Sequence, residues 1–469
     1  MSDASDLVAH ARDTRVVVVG AGPAGLVAAL EFAKVGMTVT ILEARAGVGG
    51  ALRSVDIDGV AADVVVDAFA GGDPALTALL TELGLAERVV AAPVRTAWIT
   101  GLSGRDGAAP LPAGALLGIP ANPWDDAVRR IIGWGGAWRA YLDRLRPPLT
   151  IGHERSLGAL VARRMGDRVR DRLVAPITRG RFGLDPEQVD VDGVAPGLNT
   201  ALTRVGSLAG AVAAGAGAPA ERLTIDGGVA ALTAALIDRL DVLGVEVRTG
   251  ARATGLHRRG EGWRVATADA DPTATEPPAV EADVVVVAAD EPGARDLLRG
   301  VVSAPAAAAQ EVDAVILRVR MPDTGRGDVF PVAGPARRIT DLTDVAAGLG
   351  TGERLLRVVL DAGDAPDAAG AVEEAALAAV AAAHGIPLTS SEVRAAVATR
   401  LSWAPETPLV DDVELVAFRE AVARVPGLAV AGSWAVRGGL SETVADAVAE
   451  AGRIRHRVLW GDGAHEARP

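Results

Sequence analysis

Residues 15–43 read RVVVVGAGPAGLVAALEFAKVGMTVTILE, and this stretch decides the fold. Val16 to Val19 form the apolar run expected of a strand buried on both faces of a parallel sheet. The run passes directly into GAGPAG, with Gly20, Gly22 and Gly25 in GxGxxG spacing, then into LVAALEFAKVG, a helix of good formers closed by Gly36. A second β-rich run, Thr38 to Leu42, stops at the acid Glu43. Each part has a task. Gly20 permits the tight turn, Gly22 lets a pyrophosphate approach bare backbone, and Gly25 lets the helix pack on the strand. The helix N-terminus offers free N–H groups to the phosphates. Glu43 is placed to accept hydrogen bonds from a ribose 2′-hydroxyl, which argues against a 2′-phosphate.

Strand, turn, helix, strand and terminal acid in one βαβ unit predict a dinucleotide site. Beyond Glu43 stands a glycine doublet, Gly49 and Gly50, in RAGVGGALRS. A doublet just after the second strand is similar to that of a large family of flavoproteins, where close backbone approach to the cofactor is needed, and this resemblance favours FAD over NAD. A separate nicotinamide nucleotide would call for a second fingerprint. The nearest candidate, GAGAPA from Gly215 to Ala220, follows an alanine-glycine stretch and lacks an acid-ended strand, so it reads as a connection. Electrons are therefore expected to leave to oxygen or another acceptor rather than arrive from NAD(P)H.

Composition narrows the chemistry. The 469 residues are two or three domains' worth, and 49% apolar with 23% charged residues is a globular balance. A net charge of −13 argues against nucleic acid as a partner. With no cysteine, disulfides, thiolate nucleophiles, iron–sulfur clusters and a thioether link to flavin are excluded, so FAD is expected to be non-covalent. The scattered histidines predict no metal site. The start, MSDASDLVAHARDTR, has no apolar core of a secretion signal, and no stretch approaches the roughly 20 apolar residues of a membrane span. The expectation is a cytoplasmic protein without an integral membrane segment; the sequence carries no signal of oligomeric state.

The predicted fold class is α/β: a discontinuous Rossmann-like FAD-binding domain (1–87, 222–302 and 424–469), a helical insertion (88–221), and a mixed α+β substrate domain (303–423). DPALTALLTELGL reads as helix, PLPAGALLGIP as loop, and Trp124 to Leu208 as mainly helical. Strands are expected at Val245 to Arg248, Trp263 to Thr267 and Asp283 to Ala289, with an acidic, proline-rich turn before the last. Residues 310–360 look strand-forming, a helix follows at Ala369 to His384, and Ser441 is the expected cap of a terminal helix.

With these stretches assembled, the chain resembles the protoporphyrinogen/coproporphyrinogen oxidase family of FAD enzymes, within the amine-oxidase-like flavoproteins. The resemblance runs over nearly the whole length. It rests on residues 16–44, the Gly49–Gly50 doublet, TALLTELGLAERVV, PLPAGALLGIP, SLGALVARRMGDRVRDRLVAPITRGRFGLDPEQVDV, LTIDGGVAALTAAL, EADVVVVAAD and PGLAVAGSW. It implies haem biosynthesis: an anionic tetrapyrrole, the porphyrinogen, loses hydrogens in successive two-electron steps, flavin N5 accepts hydride, and oxygen usually reoxidises the flavin. It also implies that Gly20, Gly22, Gly25, Glu43, Gly49, Gly50 and Arg53 hold FAD, with Gly432 and Ser433 at the pyrophosphate, Leu440 by the flavin and the Ala253 backbone at adenine. Arg179 and Arg181, in PITRGRFG, are the candidate grips for substrate carboxylates. No catalytic residue is assigned.

The chain departs from the family at several places. Ala51 stands where a basic residue is usual and Val65, in DVVVDAF, occupies a glycine position near the flavin; Gly47 and Ala447 also differ. Three alternatives stay open: an amine oxidase, a polyene desaturase, and a flavin-binding scaffold without turnover. A typical amine oxidase uses a lysine at the flavin and caging tyrosines, whereas this chain has one lysine, Lys34, and one tyrosine, Tyr141. Trp403 and Trp434 are further candidates to flank a substrate.

Overall fold

The computed structural model describes residues 4–102, 107–146, 154–217, 220–268, 279–346, 348–363 and 370–461. The proline-rich turn at 269–278 and residues 218–219 of the GAGAPA stretch lie outside this set. The valine run forms the strand Arg15–Val19 at the centre of a five-stranded sheet. Across that sheet the order is Glu246–Arg248, Thr38–Leu42, Arg15–Val19, Val284–Val287, Leu428–Val430, and every pair is parallel. Valine therefore meets valine from Val16↔Val284 to Val19↔Val287.

Side-chain alternation divides those valines between two cores. Val16 and Val18 point to helices Pro23–Ala33, Ala230–Val242 and Leu440–Trp460. Val17 and Val19 point to Trp263, Phe418 and Trp434. On that second side lie a three-stranded antiparallel sheet (Arg252–Arg259, Gly262–Ala268, Ala279–Ala282) and helices Glu291–Leu298 and Val413–Arg424. A strand covered on both faces has no solvent side, hence its unbroken apolar sequence.

A seven-stranded mixed sheet forms the second body, in the order Val393–Trp403, Gln310–Arg320, Glu353–Asp361, Ala336–Asp341, Arg326–Pro331, Thr96–Thr100, Ala108–Pro110. Helix Ala371–His384 packs on it, and helix Ala175–Phe182 closes over Phe330 from the helical region. Among the described residues no helix is long and apolar enough to cross a membrane.

The structure corrects the sequence reading in two places. Residues 88–110, grouped with the helical insertion, contribute strands Val89–Ala91, Thr96–Thr100 and Ala108–Pro110 to two sheets instead. Their β-branched and aromatic residues are satisfied by pairing partners far away in sequence. Ser441 does not cap the terminal helix: Gly439 is the N-cap, and the Ser441 hydroxyl donates to the Ala70 carbonyl at 2.8 Å. The acidic start folds as a helix, Ala4–Asp13.

Candidate active site

The parallel strands all end at one cleft, where a doubly wound sheet places its ligand. Gly20 leaves its strand at φ +107°, with its N–H donated to the Leu42 carbonyl at 2.8 Å. A Cβ on Gly25 would overlap the Gly20 carbonyl oxygen, so this glycine permits helix and strand to touch. Gly22 differs: a Cβ there meets only the Gly50 Cα, at 4.0 Å, and otherwise faces open cleft. It is the N-cap of Pro23–Ala33 and brings no capping side chain, so the first-turn N–H groups stay open to an anion.

The glycine doublet braces this loop. Gly49 donates its N–H to the Ala21 carbonyl at 2.8 Å, and a Cβ on Gly50 would stand 2.9 Å from Gly22 Cα. Both glycines have left-handed φ, +104° and +55°. Glu43 ties in the second strand: Oε2 accepts the Ala21 N–H and Oε1 the Arg45 N–H, each at 2.8 Å. Each oxygen keeps a lone pair for a further donor, and Glu43 borders the cleft beside Arg252 and Ala253.

At its other end the cleft is bounded by Ala51, Arg53, Val65, Trp403, Glu406 and Leu440. Gly432 and Ser433 lie between the two ends in the wall, and the uncapped start of Leu440–Trp460 opens there. Arg53 Nε, Trp403 Nε1 and Thr443 Oγ1 are buried without a partner among the described residues, polar atoms that a polar ligand would satisfy. Burial, then the Arg45 charge, lowers the Arg53 pKa. Val65 has no left-handed φ, so its backbone conformation is open to a β-branched residue. The glycine cradle, the anion-binding helix start and the orphaned polar atoms fit FAD.

Beyond this end lies a group of charges drawn from separate elements. Arg338 pairs with Asp328 through two bonds of 2.9 and 3.0 Å, and Asp67 holds Arg357 at 2.5 Å and Arg222 at 3.2 Å. Burial alone would raise the Asp67 carboxyl, but Arg357, Arg338 and Arg222 together hold it well below its ordinary value. Arg181, Arg338 and Glu406 sit deep in the protein yet keep some accessible surface, and Glu406 lines the cleft itself. Arg181 packs 5.9 Å from the Phe330 ring centre and has no ion pair among the described residues.

Of the residues singled out in the sequence, Gly20, Gly22, Glu43, Gly50, Arg53, Ala253, Gly432, Ser433 and Leu440 meet on the cleft wall. Gly25 and Gly49 stand one layer behind and shape the loop. The two arginines part company. Arg179 is exposed and bound to Asp185 at 2.6 Å, whereas Arg181 turns inward. Trp434 lines the cleft but is a buried packing residue, its Nε1 donating to the Ala289 carbonyl at 3.1 Å. Sequence reading missed Glu406, Arg338, Arg222 and Asp67; the one local signal was an acid inside the apolar, proline-flanked WAPETP. Among the described residues no group of potential ligands could hold a metal.

The profile of the family described as flavin containing amine oxidoreductase matches residues 23–454. The coproporphyrinogen III oxidase of Propionibacterium freudenreichii subsp. freudenreichii is 31% identical over 183 residues, 39% of this chain and only 34% of that relative's length. The coproporphyrinogen III oxidase of Mycobacterium tuberculosis (strain ATCC 25618 / H37Rv) is 28% identical over 323 residues, 67% of each chain. In fold, the chain is similar to the crystal structure of a candidate protoporphyrinogen oxidase from Exiguobacterium sp. 255-15, with TM-score 0.78 at 22% identity, covering 94% of this chain and 99% of the other. Since the family match takes in nearly the whole fold and all the cleft lining but Val19, Gly20 and Gly22, this chain belongs to the flavin-containing amine oxidoreductases and is an FAD-dependent oxidoreductase.

Proposed function

We propose that the chain oxidises a porphyrinogen, coproporphyrinogen III or protoporphyrinogen IX, to its porphyrin in haem biosynthesis in the cytoplasm, with oxygen or another acceptor taking the electrons. The observation that carries this reading is Arg181, a deep guanidinium with no ion pair among the described residues, attracted by Asp328 but repelled by Arg338 and Arg222. Burying an unpaired cation is costly, and a substrate propionate would offset that cost by bidentate pairing. The names of the coproporphyrinogen III oxidase relatives support the same substrate class.

Gly20, Gly22, Gly50, Gly432 and Ser433 would take the pyrophosphate, Glu43 and Ala253 the adenosine, and Arg53 and Leu440 the flavin. Gly25 and Gly49 hold that loop in shape. Bound FAD supplies the hydride acceptor; the protein supplies orientation and a dry, charged chamber. We take 1–87, 222–302 and 424–469 as the cofactor domain, with 88–221 and 303–423 enclosing the substrate.

The amine-oxidase alternative finds no support at the cleft. Lys34 is engaged by Glu31 and Glu82 at 2.6 and 2.7 Å, and Tyr141 lies in an aromatic cluster with Trp124 and Trp138. The test is aerobic incubation of FAD-loaded protein with either porphyrinogen. Porphyrin absorbance should grow well above the uncatalysed rate; growth no faster than the control with every acceptor tried overturns the reading.

A further inference from the structure

The deep end of the cleft holds a carboxyl that nothing above employs. Glu406 lines it beside Trp403 and Leu440, just after the strand Val393–Trp403, and has no hydrogen bond or ion pair among the described residues. Every charged group acting on it comes from another element: Arg338 on Ala336–Asp341, Arg357 on Glu353–Asp361, Asp67 after Ala61–Asp63, and Glu442 on Leu440–Trp460. The two arginines are already engaged by Asp328 and Asp67. Burial, helped by Glu442 and Asp67, outweighs their attraction and pushes the Glu406 carboxyl up to about 7.

Glu442 gives this group a way out. Glu442 is exposed, in the first turn of the terminal helix. A Cβ on Gly439 would lie 3.6 Å from Glu442 Oε2 and 3.9 Å from Glu406 Oε2, so both carboxyls flank the same bare stretch of backbone. One faces the cleft and the other water.

We propose that Glu406 accepts the proton released by substrate in each oxidation step and that Glu442 returns it to solvent. The inference rests on the porphyrinogen reading above. In one step a meso C–H bond breaks, and its hydrogen leaves with the electron pair as the hydride that bound FAD would accept. A pyrrole N–H bond breaks as well, its electron pair stays in the new C=N system, and its proton forms an O–H bond on Glu406. Substrate has then lost two electrons and two hydrogens; three such steps remove three meso and three N–H hydrogens, and a shift of the fourth meso proton to a ring nitrogen completes the porphyrin. Oxygen, the named acceptor, would be the final sink for that electron pair. An acceptor that titrates near working pH is suited to take a proton and release it again.

The test compares FAD-loaded parent, Glu406→Gln, Glu406→Asp and Glu442→Gln, with flavin absorbance confirming equal cofactor content. Parent kcat should rise with pH through about 7, because the base works deprotonated. Glu406→Gln should lower kcat about 100-fold and lose that limb, with Glu406→Asp recovering part of the rate. Infrared titration without substrate gives the second readout: a carboxylic-acid carbonyl band should vanish near pH 7 in parent, at lower pH in Glu442→Gln, which lacks one charge that raises it, and be missing from Glu406→Gln. Should Glu406→Gln not hold FAD, Glu442→Gln decides, with a several-fold slower turnover expected and parental turnover contradicting. If the parent turns over and Glu406→Gln matches it across pH, this inference fails while the substrate reading stands. If no porphyrinogen is oxidised by the parent, the substrate reading fails and takes the inference with it.

Discussion

Glu43 Oε2 accepts the Ala21 N–H at 2.8 Å, fastening the end of one strand to the phosphate loop of the next. The same carboxylate holds the Arg45 N–H, so removing it strands the buried Ala21 donor and releases that of the exposed Arg45. Glu43→Ala should therefore weaken FAD retention at least tenfold and cost roughly 1–3 kcal/mol of stability. Glu43→Gln, which keeps an acceptor oxygen, should fall between. Flavin content after dialysis and a thermal melt read the two effects; full FAD retention in Glu43→Ala would contradict the role.

Gly22 and Gly25 are expected to fail in opposite ways. A side chain on Gly22 enters open cleft, so Gly22→Val should fold and melt near the parent apoprotein while binding no FAD. Gly25→Val drives its Cβ into the Gly20 carbonyl and should not yield folded protein. Circular dichroism with flavin absorbance separates the outcomes, and a folded, yellow Gly22→Val would refute the assignment.

How much of this was legible in the sequence follows from how local each feature is. The βαβ unit and the doublet are short-range, since the bond from Gly49 to Ala21 joins segments of one unit. The arginine pair shows the limit. Residues two apart on a helix point to different sides, so Arg179 and Arg181 of Ala175–Phe182 cannot both face inward, yet the sequence gives no sign of which one does. Glu406, Arg338 and Asp67 were hidden for a different reason: three distant segments meet only once both large sheets are built.

That difference between the arginines is measurable. Arg181→Glu should raise KM for a porphyrinogen at least tenfold with FAD content unchanged, while Arg179→Glu should leave KM within about twofold. Equal effects of the two substitutions would move the carboxylate grip elsewhere.

Val65 lines the cleft without backbone strain, so its two methyls occupy space the fold already allows. Val65→Gly should lose about 1–3 kcal/mol by opening a void and loosening the chain, and should not raise turnover. A large gain in rate would show instead that valine crowds the site.

His384 governs part of the acid response. It is buried with Nδ1 against the Thr324 hydroxyl at 2.8 Å, and burial, then Arg326, depresses its pKa to about 4. The folded state thus binds fewer protons than the unfolded chain between about pH 6.5 and 4, and stability drops as pH falls through that window. His384→Gln should flatten that decline, by roughly 2–3 kcal/mol at pH 4 relative to pH 7.5. Parallel stability curves for the two proteins would exclude His384 as the cause.

The most direct test of the central claim is an anaerobic absorbance titration of FAD-loaded protein with coproporphyrinogen III and, separately, protoporphyrinogen IX. At least one should bleach the flavin, with about three flavins reduced per porphyrinogen and porphyrin appearing in step. A flavin that stays yellow with both, yet is reduced by dithionite, would contradict a porphyrinogen oxidase.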